Sequence, residues 1–230
     1  MHTTLFLLAL AFFGWRAVFR NRRPGVASRR PTLRNQIIGD EGEALVQAEL
    51  RETLRWLCGD NFYLHPTALL LNHAPGTAHP TAEIDHLAIT PLGLFVIETK
   101  NWTGSIEPGA DPDTVIRTGV DGRAETRRSP LRQNQSKVGF LRSMLPKMWA
   151  IEGLGVFASD ACVLSSSLPP GLIRRRDLGQ WLRNRKTRHE AQGRRNVDVH
   201  QAWTAVQAIS VADPGGDALA RHRRLVSTNP

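Results

Sequence analysis

Apolar positions change period several times along the chain, and each change marks an element. Residues 36–56 read QIIGDEGEALVQAELRETLRW, with Ile38, Leu45, Ala48, Leu50, Leu54 and Leu57 approximating one face of a helix. The segment Gly39-Asp40-Glu41-Gly42-Glu43 opens it. Phe62 to Leu71 reads as a strand with an irregularity at Pro66, and Asn72 to Thr81, with two prolines and one glycine, as a loop. Glu83 to Thr90 (EIDHLAIT) carries Ile84, Leu87 and Ile89 as strand-like residues. After a turn at Pro91-Leu92-Gly93, Leu94 to Lys100 (LFVIETK) is nearly continuous apolar, as a central buried strand is. These two strands predict a hairpin. The polar stretch from Gly104 to Arg128 holds a candidate second hairpin, with Thr114 to Val120 as one arm and Asp121-Gly122 as its turn. Pro130 begins a helix running to about Met148, its apolar side made by Leu131, Val138, Leu141, Met144 and Leu145. Val156 to Ser165 reads as a strand, and helices follow at Arg176–Asn184, Val199–Ile209 and Gly216–Val226. The order predicts an α/β fold with a mixed central sheet flanked by helices.

A different pattern precedes all of this. Thr3 to Phe19 is almost wholly apolar, broken by Arg16 near its end. A membrane-spanning helix needs about 20 such residues, with about 17 as the lower limit. Arg16 can snorkel toward headgroups. No Lys or Arg precedes the run and no A-x-A-like site follows it, which argues against a cleaved signal peptide. A buried helix of the folded domain is the other alternative, disfavoured by the Arg-rich stretch that comes next. Residues 1–20 are therefore read as an N-terminal transmembrane anchor and 21–35 as a basic linker. Arg16, at the end of the apolar run, and Arg20, Arg22, Arg23, Arg29, Arg30 and Arg34 beyond it all lie on its C-terminal side. They predict a single-pass protein of the cell inner membrane with its folded part on the cytoplasmic side. Residues 36–165 form the expected core, and 166–230 a basic helical extension packed on it.

Charge sharpens the picture. Thirty Lys and Arg against 21 Asp and Glu give a net +9, which favours an anionic partner, nucleic acid or acidic lipid. Arg174, Arg175, Arg176, Arg183, Arg185 and Lys186 lie in the most basic segments and are candidates to follow a phosphate backbone; a solvated helix surface is the competing reading. Cys58 and Cys162 form no C-x-x-C pair, so a zinc knuckle is not expected. They read as two thiols, with a single disulfide left open.

The candidate chemistry sits on the first hairpin. Glu98 and Lys100 are two residues apart in a strand and so project from one face. An apolar run that ends in Glu and Lys calls for a reason, because burying charge is costly. Hard oxygen donors such as Asp85 and Glu98 suit magnesium, which binds through one or two carboxylates plus substrate phosphate. Lys100 can hold the attacking water or offset charge on the phosphate. The competing reading is an exposed ion pair at a strand end.

Four ordered pieces resemble one family. Gly39-Asp40-Glu41-Gly42-Glu43 matches an opening G-x-x-G-E, and Glu83-Ile84-Asp85-His86 an I-D-H strand. The run Gly93 to Gly104 matches a hydrophobic strand ending in E-x-K, then an aromatic and Gly. Ser129-Pro130-Leu131-Arg132-Gln133 matches N-P-x-x-Q, with Ser129 in place of the usual Asn. The stretch from about Gly39 to Leu145 is similar to the nuclease-related domain, NERD, of the PD-(D/E)XK nuclease superfamily. The resemblance implies a restriction-endonuclease-like sheet. It implies that Asp85, Glu98 and the carbonyl of Thr99 bind Mg2+ (or Mn2+) and that Lys100 positions the nucleophilic water. Glu43 would approach the same site, and Gln133 would line it. His86, on the other side of its strand from Asp85, is read as structural. The expectation is a membrane-anchored, metal-dependent nuclease acting on DNA. The alternative is a non-catalytic module of the same fold that binds nucleic acid or protein at the membrane.

Overall fold

The computed structural model of the chain describes residues 33–213 and 215–228, with side chains over 36–213 and 215–226. The expected anchor and most of the expected linker lie outside the described residues. Among the described residues no helix is long and apolar enough to cross a membrane.

A long helix, α1 (Leu33–Cys58), leads into β1 (Tyr63–Leu64), β2 (Leu69–Leu71), β3 (Ala82–Ile84), β4 (His86–Thr90) and β5 (Gly93–Lys100). Next come β6 (Gly104–Pro108), β7 (Thr114–Thr118), β8 (Ala124–Arg128), α2 (Pro130–Met144), β9 (Ile151–Phe157), β10 (Cys162–Leu164) and β11 (Leu172–Arg174). A short 3-10 turn at Arg175–Asp177 then enters α3 (Leu178–Ala191), followed by α4 (Val199–Ala208) and α5 (Asp217–Thr228). The central sheet has the order β1-β4-β5-β9-β11, antiparallel from β1 to β5 and parallel from β5 to β11. A second sheet, β10-β6-β7-β8, and the small pair β2-β3 complete the framework.

Alternation along β5 sorts the core into two layers. Leu94 and Val96 face α2 and α4, joining Leu87, Ile89, Val138, Leu141, Ala202 and Val206. Phe95 and Ile97 face α1 and α3, joining Val46, Leu50, Leu54, Leu178 and Leu182. The stripe of α1 that is buried is thus Gly42, Val46, Leu50 and Leu54, while Leu45 and Ala48 are exposed. The face read from the sequence was rotated by about one residue.

Several boundaries also differ from those read in the sequence. The Phe62–Leu71 segment divides between two sheets around Pro66, and the Glu83–Thr90 strand breaks at Asp85. The helix expected to reach Met148 stops at Met144, ahead of Pro146, since a residue before proline disfavours the helical region. The strand expected at Val156–Ser165 begins earlier, at Ile151, and its second half pairs with a different sheet. The C-terminal segment is not purely helical, because β11 forms an edge of the central sheet. Both cysteines are free.

Candidate active site

The break at Asp85 builds the site. Strand β4 begins opposite Ile97, so the last residues of β5 run past the end of their antiparallel neighbour. There the Thr99 amide has no strand to donate to, and it donates instead to Asp85 Oδ2 at 2.8 Å. A side chain completes the ladder where the backbone leaves it. The carbonyl of Thr99 projects to that same side of the strand.

Glu98 and Lys100, on the α2 face of β5, are joined by a 2.7 Å ion pair between Lys100 Nζ and Glu98 Oε1. A second ammonium, Lys137 Nζ from α2, sits 2.7 Å from Glu98 Oε2. Glu98 is 7% exposed and Lys137 8%. The residues 134, 137, 138, 141 and 145 are all buried on one face of α2 or just beyond its end, and Lys137 lies among them. Two features bring α2 this close. Gly155 of β9 leaves room for Pro130, whose Cβ would lie 2.5 Å from a Cβ at that position. Asn134 donates to the carbonyls of Val96 and Leu154 at 2.9 and 2.8 Å, clamping the helix across β5 and β9.

The opposite face of β5 supports this cluster. His86 bridges Gln47 Oε1 at 2.8 Å and Thr99 Oγ1 at 2.9 Å. Burial pushes its pKa down to about 4, so it is a neutral strut at ordinary pH. It stands on the α1 side, where alternation puts it. Gly42 lets α1 approach the loop after β5: a Cβ there would lie 2.6 Å from Asn101 Cβ, and Asn101 Nδ2 donates to the Ile38 carbonyl at 2.7 Å. Trp102 packs against Phe157, ring centroids 5.8 Å apart, under the second sheet.

Burial, then the charge of Glu98, pushes the Asp85 carboxyl up to about 7, against the pull of Lys137, Lys100 and the Thr99 amide. Burial alone would raise Glu98 too, but its two ammonium partners hold it down at about 2. Lys100, despite burial that acts to lower it, is raised by Glu98 and Asp85.

Glu43 lies at the rim. Its carboxyl is raised by burial and by Glu83, Asp40 and Glu98, while Arg223 acts to lower it. Arg223 comes from α5 and spans three carboxylates: Glu83 at 2.6 Å, Glu43 at 3.6 Å and Asp40 at 3.8 Å. Beside it, His222 Nδ1 is 2.8 Å from Thr81 Oγ1. Gln133 is half-buried one turn before Lys137 on the same face of α2, and its side chain has no hydrogen bond among the described residues.

The basic residues of the C-terminal segment mostly serve the fold. Arg174 pairs with Asp177 at 2.6 Å, and Arg175 ties Glu49 to Asp160, each at 3.0 Å. Arg185 pairs with Glu152 and lies over Trp181 at 4.7 Å; Lys186 approaches Glu190 at 3.8 Å. Arg183 is exposed, hydrogen-bonded to Gln180 and stacked over Trp56 at 5.5 Å. Arg176 is exposed and has no acidic partner among the described residues.

Sequence reasoning missed Lys137, Arg223 and Glu83. Lys137 carried a readable signal, since a lysine three residues from Asn134 and one before Val138 falls on the buried face of its own helix. Arg223 carried none, because its contact depends on where α5 docks.

Among the described residues no group of three or more His, Cys, Asp or Glu side chains could hold an ion. The groups here that could hold a metal are two carboxylates, Asp85 and Glu98, with the Thr99 carbonyl. All are hard oxygens, and the set fits magnesium, which keeps much of its water shell.

A mixed sheet with this acidic and basic cluster at the end of its central strand defines a nuclease-like α/β domain. The chain belongs to the nuclease-related domain family: the model of that family matches residues 38–158, more than half of the chain. No curated protein and no solved structure matches it.

Proposed function

We propose that the protein is a magnesium-dependent nuclease of the PD-(D/E)XK type that hydrolyses phosphodiester bonds in DNA. The reading extends to a membrane anchor at residues 1–20 and a folded part on the cytoplasmic side of the inner membrane. One observation carries the enzymatic part: buried Glu98 and half-buried Asp85 stand together at the end of β5, with Lys100 hydrogen-bonded to Glu98. In a structural ion pair the second carboxylate would be a burden, since its burial is not matched by an ammonium of its own.

Asp85, Glu98 and the Thr99 carbonyl would hold the metal. A bound magnesium supplies a water of lowered pKa and positive charge near the phosphate. Lys100, anchored on Glu98, orients that water toward the phosphorus and offsets charge on the phosphate oxygens. His86 and Gln47 keep Thr99 in place from behind. Gln133 faces the incoming nucleic acid. Arg176 and Arg183, the exposed ones among the basic candidates, would meet the backbone, and the net +9 draws it in.

A second reading, a non-catalytic module that binds nucleic acid or protein, is favoured by the closure of the cluster: both oxygens of Glu98 are already taken by ammonium groups. Plasmid and single-stranded DNA incubated with the full chain and Mg2+ or Mn2+ separate the two. The enzyme cuts, and Lys100→Ala and Asp85→Asn each lose at least about a hundredfold in rate. Binding without cleavage in any metal supports the module. A reporter fused after Pro230 reads cytoplasmic on this topology; a periplasmic signal overturns the orientation.

A further inference from the structure

We propose that Lys137 holds the metal's place on Glu98, and that a divalent cation enters by displacing its ammonium from Oε2. The inference rests on the metal-dependent reading above and adds a residue to it. Lys100 and Lys137 make equal 2.7 Å contacts with the two oxygens of Glu98, yet they are not equivalent. Lys100 shares a strand with Glu98, so its place beside that carboxylate is set by the strand's own geometry. Lys137 reaches in from another element on a flexible four-carbon stem and can withdraw without moving α2, which Asn134 clamps to the sheet.

The charges are also unevenly shared. Glu98 has two ammonium partners, whereas the one hydrogen bond Asp85 accepts among the described residues comes from the Thr99 amide. A dication lying between Asp85 and Glu98 would correct that imbalance and make the second ammonium on Glu98 redundant. Two carboxylates and two ammonium groups sum to zero; a dication raises the cluster to +2. That surplus matches an anionic phosphodiester, and the released Lys137, on the α2 face one turn from Gln133, stands where such a group would arrive. The site would thus carry much more positive charge when loaded than when empty.

Titration calorimetry of the full chain with Mn2+ alone tests this, with circular dichroism to verify folding. Lys137→Met removes the competing charge and is expected to bind Mn2+ at least about tenfold tighter than the unaltered protein. Lys137→Arg keeps the charge and is expected to bind no tighter. Should Lys137→Met fail to fold, Lys137→Gln makes the same comparison. A residue that merely fills a buried space gives unchanged or weaker Mn2+ binding when replaced, and that result overturns the proposal while leaving the metal site standing. If neither the protein nor its variants bind Mn2+, the metal-dependent reading falls with it.

Discussion

Burial and the neighbouring charge of Glu98 both act against the ionised form of Asp85. Its carboxyl titrates near 7 in the folded chain against an ordinary value of 3.8. A raised carboxyl pKa means that stability present at low pH is lost as the pH rises from about 4 through 7. Glu98 works in the opposite sense: held at about 2, it adds stability above its ordinary 4.5 that disappears as the pH falls toward 2. Metal-free protein is therefore expected to be most stable in the mildly acidic range. Asp85→Asn, which can still accept the Thr99 amide, should raise the melting temperature in chelator at pH 8 by roughly 2–4 °C for each kcal/mol recovered. The gain should vanish near pH 4, as scanning calorimetry at both pH values would reveal. Removal of Glu98 should act the other way, because Glu98→Ala takes the ion-pair partner from buried Lys137 and half-buried Lys100, at a cost of about 3–5 kcal/mol. At this scale Glu98 and Lys100 were legible in the sequence as charges closing an apolar run, and Asp85 as a carboxylate on the neighbouring strand. Lys137 was legible only as a lysine on the buried face of its helix; its partner depends on which strand α2 lies against.

Among the elements, α1 and β5 set the geometry. Two pieces of the family signature turn out to be one contact: Gly42 on α1 exists in the space that Asn101, just after β5, requires. Gly42→Val should force the helix away from that loop, break the Asn101–Ile38 hydrogen bond and cost about 1–3 kcal/mol by overpacking. Urea denaturation would measure the loss, and cleavage should fall with it as Glu43 and Gln47 shift. The hairpin of β4 and β5 was plain in the sequence because β5 is continuously apolar from Leu94 to Ile97. The start of β9 was hidden by Glu152, Gly153 and Gly155, residues poor in strand propensity; Gly155 is there because Pro130 and Leu172 occupy the space of a side chain. The buried stripe of α1 was misjudged because Leu45 is apolar yet 46% exposed, while the true stripe runs through Gly42. Hydrophobicity alone cannot reveal a face whose key residue has no side chain.

For the whole molecule, the positive charge divides into structural and available parts. Arg175→Ala should lower stability by about 1 kcal/mol, because it unties α1 from the loop at Asp160. Arg176→Ala should leave stability unchanged, weaken DNA binding and reduce the slope of log K against log salt by about 1. Fluorescence anisotropy over a salt series together with melting curves would separate the two. Helix α5 docks at the acidic rim through Arg223 and His222, contacts that are polar and partly exposed. Arg223→Ala should therefore speed hydrogen exchange in α5 while leaving β5 and β9 protected. The role of that helix could not be read from sequence, where DALARHRRLV is only a basic amphipathic stretch. The basic run in α3 likewise read equally as a phosphate track or a solvated surface, and its partners Glu152 and Glu190 and the ring of Trp181 become visible only once α3 is packed.

The central claim is that Asp85 and Glu98 together hold a divalent cation. Crystals grown or soaked with Mn2+ test it most directly, through anomalous scattering. The account predicts a peak about 2.0–2.2 Å from an oxygen of each carboxylate. Strong density elsewhere, with none between these two side chains at saturating Mn2+, would contradict it.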